Sequence, residues 1–164
     1  MKILFAGEGG QGVQLAAEIL AYSAFLEEKK ASIIPNFGVE QRGGVSLAFV
    51  KISDCDYPKF EKGDLVAIFC DRAIERVKGY IGKNTQVILG PAVVSDKIPE
   101  VSIAAHLRGV KLPAKVWNII ILGKIIEESG VVDKESVRRA LEEKLAEKFK
   151  EDPKLREINL KALG

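Results

Sequence analysis

Short apolar runs bounded by glycine, proline and charged residues recur along this chain, with stretches of helical spacing between them. Lys2–Ala6 is a brief apolar run that stops at glycines, which predicts a buried strand. Gln14–Glu27 is rich in Ala and Leu and predicts a helix; its small residues Ala16, Ala17, Ala21 and Ala24 allow close packing on a sheet. Ala31–Ile34 predicts a second strand, stopped by Pro35. In Val45–Ile52, Val45, Leu47 and Phe49 alternate with Ser46, Ala48 and Val50, a strong strand pattern. Leu65–Phe69 and Gln86–Leu89 predict two further strands, the latter closed by Gly90-Pro91, and Val101–Ala104 a weaker one.

The remaining segments carry helix signals. Asp71 can cap a helix from about Arg72 to Ile81. Pro113 suits the first turn of a long helix reaching Glu128, because its missing N–H costs nothing there, and Gly130 stops it. Asp133 caps a last long helix to about Lys150, with Glu135 placed to support Arg139 four residues on. Asp152-Pro153 ends that helix, and Leu155–Leu163 forms a short amphipathic tail for the domain or a partner. Strands alternating with helices predict an α/β fold: a single-domain, open, mainly parallel sheet with helices on both faces, Rossmann-like. The 164 residues fit one domain spanning 1–164, with no repeat and no linker.

Composition narrows the function. A hydrophobic share of 47% excludes a disordered chain. A formal net charge of +2 lacks the basic excess of a nucleic-acid binder. The apolar start Met1–Ala6 is cut short by Gly7, short of a signal peptide, and Val116–Leu122 is too short to span a membrane. A cytoplasmic protein is expected. Cys55 and Cys70 cannot by themselves supply a four-cysteine zinc site or iron–sulfur cluster, and Cys70 falls at a strand end where burial is expected. His106 is the single histidine, and no nucleophile motif accompanies it.

Two loops carry candidate chemistry. Gly7-Glu8-Gly9-Gly10-Gln11-Gly12 matches G-x-G-x-x-G between the first strand and the first helix. Glycines there let backbone N–H groups approach an anion, and the helix N-terminus adds partial positive charge. The dinucleotide reading also needs an acid after the second strand, where Ile33-Ile34-Pro35-Asn36 has none, and Glu8 puts a carboxylate in the phosphate loop. No Lys-Ser/Thr pair follows Gly12, so the loop is not a P-loop either. Pro35 to Ser46 is the second constellation: Gly43-Gly44 permits an unusual turn, and Arg42, near Glu40, could grip a carboxylate or phosphate. Each loop alone could equally be a purely structural turn.

Together the loops resemble the gamma subunit of 2-oxoacid:ferredoxin oxidoreductases. Gly7 to Val13 match that family's G-x-G-G-Q-G-V, and Pro35 to Ser46 match P-x-Y-G-x-E-x-R-G-G-x-S with Phe37 for Tyr. Ile52-Ser53-Asp54, Tyr57-Pro58, Asp64–Ile68, and Asn118, Leu122 and Gly123 of a late N-x-x-x-L-G helix extend the match over nearly the whole chain. The resemblance implies a complex that oxidatively decarboxylates a 2-oxoacid with coenzyme A to acyl-CoA and CO2, reducing ferredoxin. It places thiamine diphosphate with Mg, and 4Fe-4S clusters, on alpha, beta and delta (ferredoxin-like) partners. This chain would be a subunit that shapes the site, with no redox centre, no catalytic residue and no metal ligand of its own.

The same resemblance implies that Gly9, Gly10, Gln11, Gly12, Glu40 and Arg42 face the partners near the thiamine and coenzyme A region. Gly10 and Arg42-Gly43-Gly44-Val45-Ser46 are closer to the 2-oxoglutarate and branched-chain group than to the pyruvate branch, whose loops look like G-R-A-G-Q-G-A and E-R-x-G-A-P. 2-Oxoglutarate is therefore favoured; pyruvate, branched-chain oxoacid and indolepyruvate enzymes remain open, as does a solitary nucleotide-binding protein. No role falls to Asp96, His106 or Arg108. An isolated subunit would expose its partner-facing surface, so a homodimer of the free chain is also expected.

Overall fold

The computed structural model describes residues 1–37, 44–53, 59–94, 98 and 102–164. Six strands, β1 (Lys2–Glu8), β2 (Ala31–Phe37), β3 (Val45–Ile52), β4 (Leu65–Cys70), β5 (Gln86–Ala92) and β6 (Ser102–His106), form one sheet in the order β2-β3-β1-β4-β5-β6. β1 is parallel to β4, β4 to β5 and β5 to β6. β3 runs antiparallel to both β1 and β2. The sheet is mainly parallel, as expected, but mixed. The antiparallel strand has a simple cause. Only seven positions separate the end of β2 from the start of β3, and a parallel return needs a crossover of a dozen residues or more.

The helices are α1 (Val13–Leu26), α2 (Ile74–Val77), α3 (Trp117–Ser129), α4 (Lys134–Lys144), α5 (Ala146–Glu151) and α6 (Pro153–Leu163). They cover the two sheet faces unequally. Ile3, Phe5, Ala48, Val50, Leu65 and Ala67 point to the face packed by α1 and α3, with α4 and α6 behind. Leu4, Ala6, Leu47, Phe49, Val66 and Ile68 point to the other face, which among the described residues is covered by the short α2, its flanking turns, Phe60, Ile81 and Val93. Phe49 is nonetheless sealed there by edge-on contacts with Phe60 and Tyr80 at 5.3 Å between ring centres. Each fully buried side chain of this size contributes on the order of 1.5–3 kcal/mol.

Several predicted elements change shape. The helix expected over Arg72–Ile81 is reduced to α2 between two 3-10 turns, Asp71–Ala73 and Lys78–Tyr80. Its closing carbonyls are turned outward: Tyr80 accepts from the Gly63 N–H, while Gly79 and Ile81 accept from the Lys62 ammonium. β5 continues through Gly90-Pro91 to Ala92, and the weak strand falls at Ser102–His106. Pro113 precedes a 3-10 turn, Ala114–Val116, rather than entering α3 directly. The last long helix breaks at Leu145 into α4 and α5, with Leu145 and Phe149 both buried against the core. The tail is α6, capped by the Asp152 carboxylate on the N–H groups of Lys154 and Leu155 and packed on α3.

Two expected contacts are replaced by neighbours. Glu135 lies beside Arg138 at 3.8 Å instead of supporting Arg139. Asp133 stands at the N-cap of α4, but its side chain makes no capping bond. Glu27, at the C-cap of α1, instead grips the N-cap residue itself: its carboxylate accepts the Asp133 N–H at 2.6 Å and pairs with Lys29 at 2.7 Å. Burial pushes the Glu27 carboxyl up, but Lys29, the Asp133 N–H and Ser136 outweigh it and hold it below the ordinary 4.5.

Stability from Glu27 is therefore present above its ordinary value and is lost as pH falls through the lower folded one. Melting curves across the acid range should show Glu27→Gln less stable than the native chain at neutral pH, with the gap closing on acidification. A second prediction concerns α3 and α6. A Cβ on Gly123 would lie 2.7 Å from the Leu163 carbonyl oxygen. Gly123→Ala should cost about 1–2 kcal/mol, overpacking outweighing the gain in helix propensity, and should expose α6 to limited proteolysis.

Candidate functional site

β1 extends through Gly7 and Glu8, so only residues 9–12 form the turn into α1. Gly10 and Gly12 have φ of +91° and +73°, the left-handed region that side chains disfavour. Gln11 closes the turn on itself: its side-chain Oε1 accepts the Glu8 N–H at 2.8 Å, and its own N–H donates to the Glu8 carbonyl. Gly12 is the N-cap of α1, no side chain caps the helix, and no acid sits in its first turn. The amino end of α1 thus keeps its partial positive charge directed into the loop.

This turn lies at the carboxyl edge of the sheet, where the chain leaves β1 for β2 and β3 on one side and later fills the other side with β4, β5 and β6. Such a switch point is where open α/β sheets form their crevice. Gly7 and Gly12 bring the elements together. A Cβ on Gly7 would fall 2.8 Å from both Phe69 Cβ and Val13 Cγ2, and one on Gly12 would collide with the Asn118 side chain. Asn118, buried near the start of α3, donates to the Gly12 carbonyl at 3.4 Å. Between the turn and α3 lies a cavity of about 250 Å³ lined by Gly10, Gln11, Phe69, Lys115, Trp117 and Ile121. The Trp117 indole N–H is spent on the Leu112 carbonyl, which leaves the ring as an apolar wall and Lys115 as the cation at the rim.

The second sequence constellation reaches the same place. The Gly9 N–H donates to the Gly44 carbonyl at 3.2 Å. Gln14, in the first turn of α1, donates to Ser46 Oγ and to the Leu47 carbonyl, both at 2.9 Å. The close of the second loop is therefore tied to the glycine turn. Glu40 and Arg42 lie outside the described residues, as do Cys55 and Asp96.

The structure corrects the expectation for Glu8. Its carboxylate does not stand bare in the loop but pairs with Arg72 at 2.9 Å. It follows the Leu4–Ala6 face of β1, away from α1. The topology tells against a dinucleotide: β3 stands between β1 and β2, so the end of β2 is a strand further from the glycine turn than that fold requires. Nearby, Cys70 is buried, and burial pushes its thiol above the ordinary value. His106 and Arg108 brace the exit of β5 through the carbonyls of Val93 and Val94, at 2.9 and 3.0 Å. Among the described residues no group of three or more His, Cys, Asp and Glu could hold a metal ion, and no helix is long and apolar enough to cross a membrane. Lys115, Trp117 and Phe69 carry no motif that marks them as site residues in the sequence; the sole tryptophan two positions after a lysine is the signal available.

The family model described as pyruvate ferredoxin/flavodoxin oxidoreductase matches residues 2–164, and the chain belongs to that family. Within it the chain is of the gamma-subunit type, part of a keto-acid ferredoxin oxidoreductase. The 2-oxoglutarate synthase subunit KorC of Methanocaldococcus jannaschii is 34% identical over 152 residues, covering 85% of this chain and 81% of the relative. The common subunit gamma of the pyruvate/ketoisovalerate oxidoreductases of Thermococcus litoralis is 31% identical over 162 residues, covering 87% and 85%. The crystal structure of the keto/oxoacid ferredoxin oxidoreductase gamma subunit from Geobacter sulfurreducens matches with a TM-score of 0.78 at 28% identity, covering 99% of this chain and 93% of that one.

The glycine turn yields a paired test. Gly12→Ala forces a side chain into the left-handed region and into Asn118. It should cost about 2 kcal/mol or more, a fall in Tm of roughly 4–8 °C or more. Gly9, with open space around it, should accept Ala with a change in Tm of no more than about 2 °C.

Proposed function

We propose that this chain is the gamma subunit of a complex that converts a 2-oxoacid and coenzyme A to acyl-CoA and CO2, passing electrons to ferredoxin. 2-Oxoglutarate is the favoured substrate. One observation carries the reading: two loops separated in sequence, each matching a motif of this family, are hydrogen-bonded to one another at the switch point of the sheet. In this reading thiamine diphosphate with Mg, and 4Fe-4S clusters, sit on the alpha, beta and delta partners and supply decarboxylation and electron transfer.

This chain's own residues recognise and position. With the Gly9 and Gln11 N–H groups spent on the carbonyls of Gly44 and Glu8, the N–H groups of Gly10 and Gly12, the uncapped end of α1 and Lys115 suit the phosphates or carboxylate of an incoming anion. The family resemblance assigns Arg42 and Glu40, which lie outside the described residues, to the same recognition role. The 2-oxoglutarate preference is supported by the Gly10 and Arg42–Ser46 pattern and by the Methanocaldococcus jannaschii relative, named a 2-oxoglutarate synthase subunit. The shared pyruvate/ketoisovalerate subunit of Thermococcus litoralis keeps other oxoacids in the test.

The test co-expresses the chain with its alpha, beta and delta partners and follows viologen reduction anaerobically with 2-oxoglutarate, pyruvate, a branched-chain oxoacid and indolepyruvate. Coenzyme A-dependent activity highest on 2-oxoglutarate is expected; an inactive complex, or a chain that never joins one, overturns the reading. Arg42→Ala should assemble normally and raise the KM for coenzyme A or the oxoacid roughly 10–100-fold, the loss of one charge-assisted contact worth about 1.5–3 kcal/mol.

A further inference from the structure

The glycine turn has little packing of its own. Cβ positions at Gly9 and Gly10 meet nothing within 4 Å, so a few tethers hold the turn rather than side-chain contact. On one side the Gly9 N–H reaches Gly44. At its far end Asn118 holds the Gly12 carbonyl, and the remaining tethers pass through Glu8. Its N–H and carbonyl are both bonded to Gln11, and its carboxylate reaches across to Arg72 at 2.9 Å. Arg72 lies two residues past the end of β4, the parallel neighbour of β1, so this ion pair bridges the mouth of the crevice. The tie continues sideways: Asp71, next to Arg72, accepts the Val94 N–H at 3.0 Å, which joins the exits of β1, β4 and β5 in series.

The pair is poorly placed to stabilise the fold. The Glu8 side chain is 28% exposed and that of Arg72 63%, and ion pairs this open add little to global stability. It is well placed to fix one loop against another. We propose that Glu8 and Arg72 form a charged latch that positions the glycine turn for its ligand, with both residues acting through the turn rather than touching the reacting groups. This rests on the function proposed above for the anion recognised, but the latch itself is a property of the loop.

A charge swap tests it. Glu8→Arg, Arg72→Glu and the double exchange are compared with the native chain in the assembled complex and as the full chain alone. Amide hydrogen exchange of residues 9–14 is read in the free chain. KM for coenzyme A and kcat are read in the complex. Each single exchange should leave Tm within about 2 °C, speed exchange in the turn, and raise the KM for coenzyme A about tenfold with a smaller effect on kcat. The double exchange, which rebuilds the pair in reverse, should restore both readouts.

Single exchanges that leave amide protection unchanged, or a double exchange that fails to restore it, overturn the latch. Singles that lower Tm broadly overturn it too, because the pair is then a fold contact. A native complex without coenzyme A-dependent activity overturns the functional reading instead, and the latch is then decided by hydrogen exchange alone.

Discussion

No side chain fits at residues 7 and 12, and that steric limit sets the carboxyl edge of the sheet. At Gly7 the backbone of β1 closes on Phe69, Val13 and Gln11; at Gly12 the start of α1 closes on Asn118. These approaches let one short turn meet β4, α1 and α3 together. The cavity beside Trp117, the uncapped helix end and the Asn118 hydrogen bond all follow from that approach. The positive φ of Gly12 adds a second demand at the same residue, so backbone conformation and packing ask for glycine independently there.

The glycine turn was legible because its signal is local: a strand, a run of glycines and a helix succeed one another within a few residues. The antiparallel β3 was legible too, though it passed unread. The stretch between Ile34 and Val45 holds no helical pattern, and without a helix two consecutive strands can only return antiparallel. Other features had no local sign. Glu8 and Arg72 are 64 positions apart, and only the pairing of β1 with β4 makes them neighbours. Glu27 reaches the Asp133 N–H because the packing of α4 on α1 places the α1 C-cap beside it. The expected helix over 72–81 failed for a related reason: its last carbonyls are claimed by Gly63 and Lys62, residues outside the segment.

The unequal cover of the sheet separates support from recognition. The face under α1 and α3 is backed by α4 and α6, so the elements that frame the glycine turn rest on a deep core. The opposite face, under α2, carries the Glu8 side of the turn and the buried Cys70. The turn therefore has a deep core behind it and a partly exposed ion pair in front.

The two outer strands have a consequence for how the free chain behaves. An open sheet presents unpaired backbone at both margins, and such margins recruit strands from other molecules. Here β2 carries Pro35, which has no N–H to offer, and β6 is only five residues long, with a register shift where it meets β5. Both margins are poor templates for strand addition. Strand addition at either margin is therefore disfavoured, which leaves side-chain contacts as the easier route to association.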